Sequence, residues 1–170
     1  NNTDGSNEDM QKRFTEQASL KKHLDGLSTY ARFKRFAEEY LADMRASGKR
    51  GQESKIKYLE EVIDGKVYVR LKMKDAVEFM TKKDYTTNWR SELNEEFAFW
   101  AFSDWKNAMM KAGFRIIEDP NKPENCSRTY RNQWIVDNRL KGKTEFYKRT
   151  PNGLEQIEYP VTHMVLLGEK

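Results

Sequence analysis

Cysteine is almost missing from this chain. Cys126 stands alone among 170 residues, which excludes an intramolecular disulfide and fits a reducing, cytoplasmic compartment. Histidine is nearly as scarce: His23 and His163 lie far apart, so no His/Cys spacing suits zinc. No Asp-rich loop offers an oxygen-only metal site either, and no metal is expected. No apolar run reaches the roughly 20 residues of a membrane helix. A secretion signal is also missing, so Asn1-Asn2-Thr3 and Asn125-Cys126-Ser127 read as chance matches to the glycosylation pattern. The start at Asn1 rather than Met suits a trimmed or expressed fragment. The nine glycines include no Gly-x-Gly pair after an apolar strand, the place where a backbone approaches a nucleotide-like cofactor. Gly48 and Gly51 sit in a polar, basic loop instead, so no cofactor-binding residue is assigned.

What is plentiful is charge and aromatic surface. Four Trp, nine Phe and eight Tyr can each bury a large area, so a compact fold is expected although the apolar share is only 37%. The length suits one domain with a real core. A net charge of +4 is too mild to argue for or against a polyanionic partner.

Residues 1–19 are polar, with only Met10 and Phe14 to anchor them, and read as a flexible arm. Residues 20–170 then form one mixed α+β domain. Tyr30, Phe33, Phe36, Ala37, Tyr40, Leu41 and Met44 recur at helical spacing, which predicts one helix over 28–47, capped by Ser28 and stopped by Gly48. Ile56, Leu59 and Ile63 predict a short helix closed by Asp64-Gly65. Val67, Val69, Leu71 and Met73 alternate with polar residues as a half-exposed strand. Residues 75–82 and 85–94 read as helices, and Phe97–Phe102 as a buried strand. A capped helix from Ser103, a stop at Gly113 and a strand to Ile117 follow. After a long loop over 119–132, residues 143–148 and 154–157 flank a Thr150-Pro151-Asn152-Gly153 turn. Val161–Leu167, nearly all apolar, reads as a strand covered on both faces.

The order helix, Ala112-Gly113-Phe114, strand, excursion and final strand resembles the C-terminal end of class I S-adenosylmethionine-dependent methyltransferases. Glu95-Glu96-Phe97-Ala98-Phe99-Trp100 with Ser103-Asp104-Trp105 belongs to the same resemblance. It implies an α/β fold in which 96–170 supplies a helix and terminal strands, and 20–95 a helical, lid-like insertion over the substrate. It also implies S-adenosylmethionine as cofactor, held by an upstream domain, with this chain alone inactive. Residues 85–105 and 128–147 would then line a pocket for a small-molecule or anionic substrate. The alternative is a stand-alone α+β binding module that uses a basic aromatic hairpin for RNA, another polyanion or a protein.

Two groups of residues carry candidate chemistry. Glu92, Glu95 and Glu96 lie beside Trp89, Phe97, Phe99 and Trp100. A carboxylate against aromatic walls is desolvated and can become a base near neutral pH, and Glu96 is the catalytic candidate. The plainer alternative has Glu92 and Glu95 facing water and Glu96 paired locally. Residues 128–149 hold seven basic side chains against two acidic ones, with Tyr130, Trp134, Phe146 and Tyr147 among them. Such a mixture can hold phosphates and stack on planar groups, or simply keep a sheet edge soluble. Trp89, Trp100, Arg128, Tyr130, Arg131, Trp134 and Arg139 are the substrate-binding candidates.

Overall fold

Ser28 does what its position predicts: its hydroxyl accepts from the Ala31 N–H at 3.2 Å and starts a helix, Thr29–Glu39. The computed structural model describes residues 4–97, 100–119 and 121–170. The expected domain over 20–170 divides into two compact units, one ending at Glu96 and one starting at Phe97. The fold is mixed α+β with small antiparallel sheets, as the sequence predicts.

The first unit contains α1 (Asp4–Asp25), α2 (Thr29–Glu39), α3 (Ala42–Ala46), β1 (Tyr58–Ile63), β2 (Lys66–Leu71), α4 (Met73–Lys82) and α5 (Trp89–Leu93). Its core is aromatic. Phe33 and Phe36 from α2 meet Phe79 of α4 at ring distances of 5.2 and 5.3 Å, and Trp89 closes on Phe36 at 6.2 Å. Leu24, Ala37, Tyr40, Leu41, Ile56, Met80 and Leu93 complete the unit's buried apolar set among the described residues. The Arg32 guanidinium donates to the carbonyls of Leu24 and Lys83, satisfying groups at the ends of α1 and α4.

Four expectations change here, the smallest being that Met73, expected to close the alternating strand, opens α4 instead, with β2 ending at Leu71. Where a loose arm was expected, the backbone from Asp4 is helical, although residues 8–19 bury nothing. The single helix over 28–47 is broken. Leu41 adopts a left-handed backbone (φ 53°), and its N–H leaves the helical ladder to donate to Leu93 O at 2.8 Å. Residues 58–63 form a strand rather than a helix. Asp64 and Gly65, both at positive φ, make the tight turn that pairs β1 with β2 in antiparallel register, Val62 opposite Val67.

The second unit contains α6 (Phe102–Lys111), β3 (Arg115–Ile116), β4 (Arg128–Tyr130), α7 (Gln133–Ile135, continuing as a π-helical turn through Leu140), β5 (Phe146–Thr150), β6 (Gly153–Ile157), β7 (His163–Val165) and β8 (Gly168–Glu169). The helix starts earlier than Ser103: Ala101 is its N-cap, and the Ala101 N–H donates to Asp104 Oδ2 at 2.9 Å. The buried strand expected over Phe97–Phe102 is absent from its described residues. Phe97 and Trp100 are exposed and Phe102 begins the helix, while Ala98 and Phe99 lie outside the described residues.

β3 pairs with β8 and β4 with β7, all antiparallel. Between the two ladders Ile117 N–H donates to Leu167 O, and Ser127 N–H donates to Ile117 O. The buried Ser127 hydroxyl donates to Leu167 O and accepts from Leu167 N–H. Ile117 and Ser127 thus meet at Leu167, at the two ends of the excursion 118–126. The strand 161–167 is not covered on both faces as expected. Val161 and Met164 are exposed and Val165–Leu167 only half-buried, because each ladder has just two strands.

Candidate functional site

α4 carries a stripe of charge where an amphipathic helix normally turns apolar side chains inward. Asp75, Glu78 and Lys82 share a face with the core residue Phe79, three, four and seven residues along from Asp75. Glu78 and Lys82 are almost completely enclosed, with side chains 2% and 1% exposed, and Lys82 Nζ lies 2.9 Å from Glu78 Oε2. The same ammonium donates to Glu95 O and sits 5.3 Å from the Tyr40 ring centre. An ammonium has three protons and here meets a carboxylate, a carbonyl and an aromatic face.

Burial is the main reason the Tyr40 hydroxyl is pushed far above its ordinary range, and the carboxylates of Glu78, Glu96 and Asp75 add to the effect. Burial likewise raises Asp75, against the opposing pull of Lys74 and Lys72. Glu96 is gripped by Arg50 at 2.7 Å and faces Lys74 at 3.6 Å. The catalytic candidate is thus held between cations within its own unit. Phe97 and Trp100 belong to the second unit, and Phe99 lies outside the described residues. Glu95 is exposed, while Glu92 is half-buried.

Trp89 is enclosed in the first unit, 1% exposed, and its indole N–H donates to Glu39 Oε2 at 2.7 Å. The other substrate-binding candidates lie in the second unit. Trp100 packs edge-on against Trp105 at 4.7 Å. The basic segment is not a hairpin as expected but a strand, a helix and a strand, β4, α7 and β5. Within it, Arg128 lies 5.9 Å from the Tyr130 ring centre, and Tyr130 faces His163 across the β4–β7 ladder at 5.4 Å. Asn132 caps α7, accepting from the N–H groups of Trp134 and Ile135. Trp134 projects with 59% of its surface exposed, and Arg139 stacks over it at 5.3 Å.

Several of these cations already have internal acceptors. Arg128 donates to Cys126 O, Arg131 to Tyr159 O and Glu158, Lys143 to Asn138 O, and Lys148 pairs with Glu155. Their charge is partly neutralised before any ligand arrives. Arg131 and Glu158 also border an open groove with Phe146, Gln156, Ile157 and Tyr159.

Sequence reasoning missed Tyr40, Asp75, Glu78 and Lys82 as a cluster. The signal was present as charged residues on the same helical stripe as Phe79. No protein-family model matches this chain, no curated protein is detectably similar to it, and no solved structure matches it.

Proposed function

We propose that this chain is the substrate-covering C-terminal portion of an S-adenosylmethionine-dependent methyltransferase-like protein. The observation that carries the reading is the state of the second unit. Its only buried apolar side chains among the described residues are Val136 and Leu140, yet an apolar C-terminal segment runs through it, paired in two short two-stranded ladders. Two-stranded ladders with a half-buried apolar strand are marginal in water and gain stability when further strands or helices cover them. A helix, a Gly113 stop and a strand antiparallel to the chain's end support the same reading. In it the methyl donor is held by a preceding domain. The aromatic and basic side chains of this chain would position the acceptor and exclude water, which is much of what methyl transfer requires.

The test is calorimetry with S-adenosylmethionine on two proteins: this chain, and the product of the complete reading frame that encodes it. Saturable binding by the second and none by the first supports the proposal. Absence of binding in both, with no Gly-x-Gly after an apolar strand upstream, ends it.

The alternative, an α+β module for RNA, another polyanion or a protein, draws on the exposed Trp134 with Arg139 above it. A salt series on RNA binding separates the two. Charge contacts to a polyanion weaken steeply as salt rises, and a flat or absent response removes this alternative.

A further inference from the structure

We propose that the buried Glu78–Lys82 pair is a conformational latch that fastens residues 94–96, the end of the first unit, to its core. The inference is independent of the methyltransferase reading. Lys82 is 1% exposed, a position that a Met of similar length would fill without desolvating a charge. What only the ammonium can do there is donate to Glu95 O while Glu78 balances its charge. The remaining fastenings lie closer to water. Asn94 donates to Asp43 Oδ2 at 2.8 Å, and Arg50 reaches Glu96 at 2.7 Å. Lys74 also faces Glu96 at 3.6 Å, but the Arg50 and Lys74 side chains are 38% and 53% exposed, and pairs with one partner open to water hold less firmly than an enclosed one. Upstream of them, Leu93 O accepts from Leu41 N–H at 2.8 Å, so the backbone is already fixed at Leu93. Among these fastenings of residues 94–96, Lys82 is the one that is fully enclosed. With the latch closed, the chain leaves the first unit at Glu96; with it open, the chain leaves at Leu93.

Hydrogen exchange on the whole chain tests this, comparing the wild type with the double variant Glu78→Leu/Lys82→Met. The double variant keeps the space filled and removes the donor to Glu95 O. Exchange of the 94–97 amides is expected to rise at least tenfold while amides in α2 and α4 keep their wild-type rates. Equal rates at 94–97 in the two proteins would overturn the latch. So would a joint acceleration of 94–97, α2 and α4, which would make the pair a support of the whole unit. If the double variant does not fold, the wild type decides alone. Protection at 94–97 equal to that of α4 supports the latch, and exchange at the unprotected rate refutes it.

Discussion

Asp75 lies near the start of α4, where a helix dipole welcomes negative charge, yet its burial dominates and raises its proton affinity. The folded state thus binds the proton more tightly than the unfolded chain. Below the unfolded value both states are protonated and the stability is fully present; it is lost as pH rises through the unfolded and then the folded value. Asp75→Asn removes that penalty. We expect a higher melting temperature at neutral pH, with the gain shrinking as pH falls through the raised folded value and gone once pH is below the usual carboxylate range; a pH series of thermal melts checks it. Tyr40 presents a different balance. Its hydroxyl interacts with the enclosed Glu78 carboxylate, so Tyr40→Phe should cost about 1–3 kcal/mol in denaturant unfolding despite conserving the ring. Trp134 is the contrasting case. Trp134→Ala should leave the melting temperature nearly unchanged, since most of its surface is already in water. A large drop in melting temperature would show that the ring supports α7 rather than meeting a ligand.

At the scale of elements, local signals were readable where they act alone. Ser28 at the start of α2, the stop at Gly48, the α6–Gly113–β3 order and the β5–β6 hairpin all follow from cap and turn chemistry. Ser28→Ala should destabilise the first unit by about 0.5–2 kcal/mol, measured by denaturant titration. The misreadings have identifiable causes. The stripe from Tyr30 to Met44 keeps helical spacing, but Leu41 gives its N–H to Leu93 O, a partner more than fifty residues away that no periodicity reveals. In β1 the apolar residues Leu59, Val62 and Ile63 do not alternate, so the Asp64-Gly65 turn was the better guide to a strand. Gly65 has φ 74°, where a branched side chain is strained. Gly65→Val should therefore loosen the hairpin, seen as faster exchange of the β1 and β2 amides while α2 stays protected. The charged cluster was missed because a charged residue on a helix is ordinarily taken for surface. Only packing shows that Glu78 and Lys82 face inward.

For the whole molecule, the mixed α+β class was legible, and the unequal strength of its two halves was not. The first unit concentrates its aromatic residues in one core, whereas the second buries only Val136 and Leu140 among its described apolar side chains. Aromatic-rich composition spread along the sequence gives no hint of that asymmetry. Stability scales with apolar area removed from water, so the units should not melt together. Calorimetry is expected to show two transitions, the lower one accompanied by loss of exchange protection in β3–β8 and β4–β7. A single transition with equal calorimetric and van't Hoff enthalpies would mean that the halves stabilise one another.

The excursion 118–126 leaves the ladder at Ile117 and returns at Ser127, whose N–H closes onto Ile117 O at 2.8 Å. Its two ends are thus already joined by the fold, and the pairing on either side does not depend on its length. Doubling such a loop costs only about 0.6 kcal/mol of closure entropy. Residues inserted between Glu118 and Cys126 are therefore expected to leave the strand register unchanged, which makes the excursion a place to graft a foreign peptide.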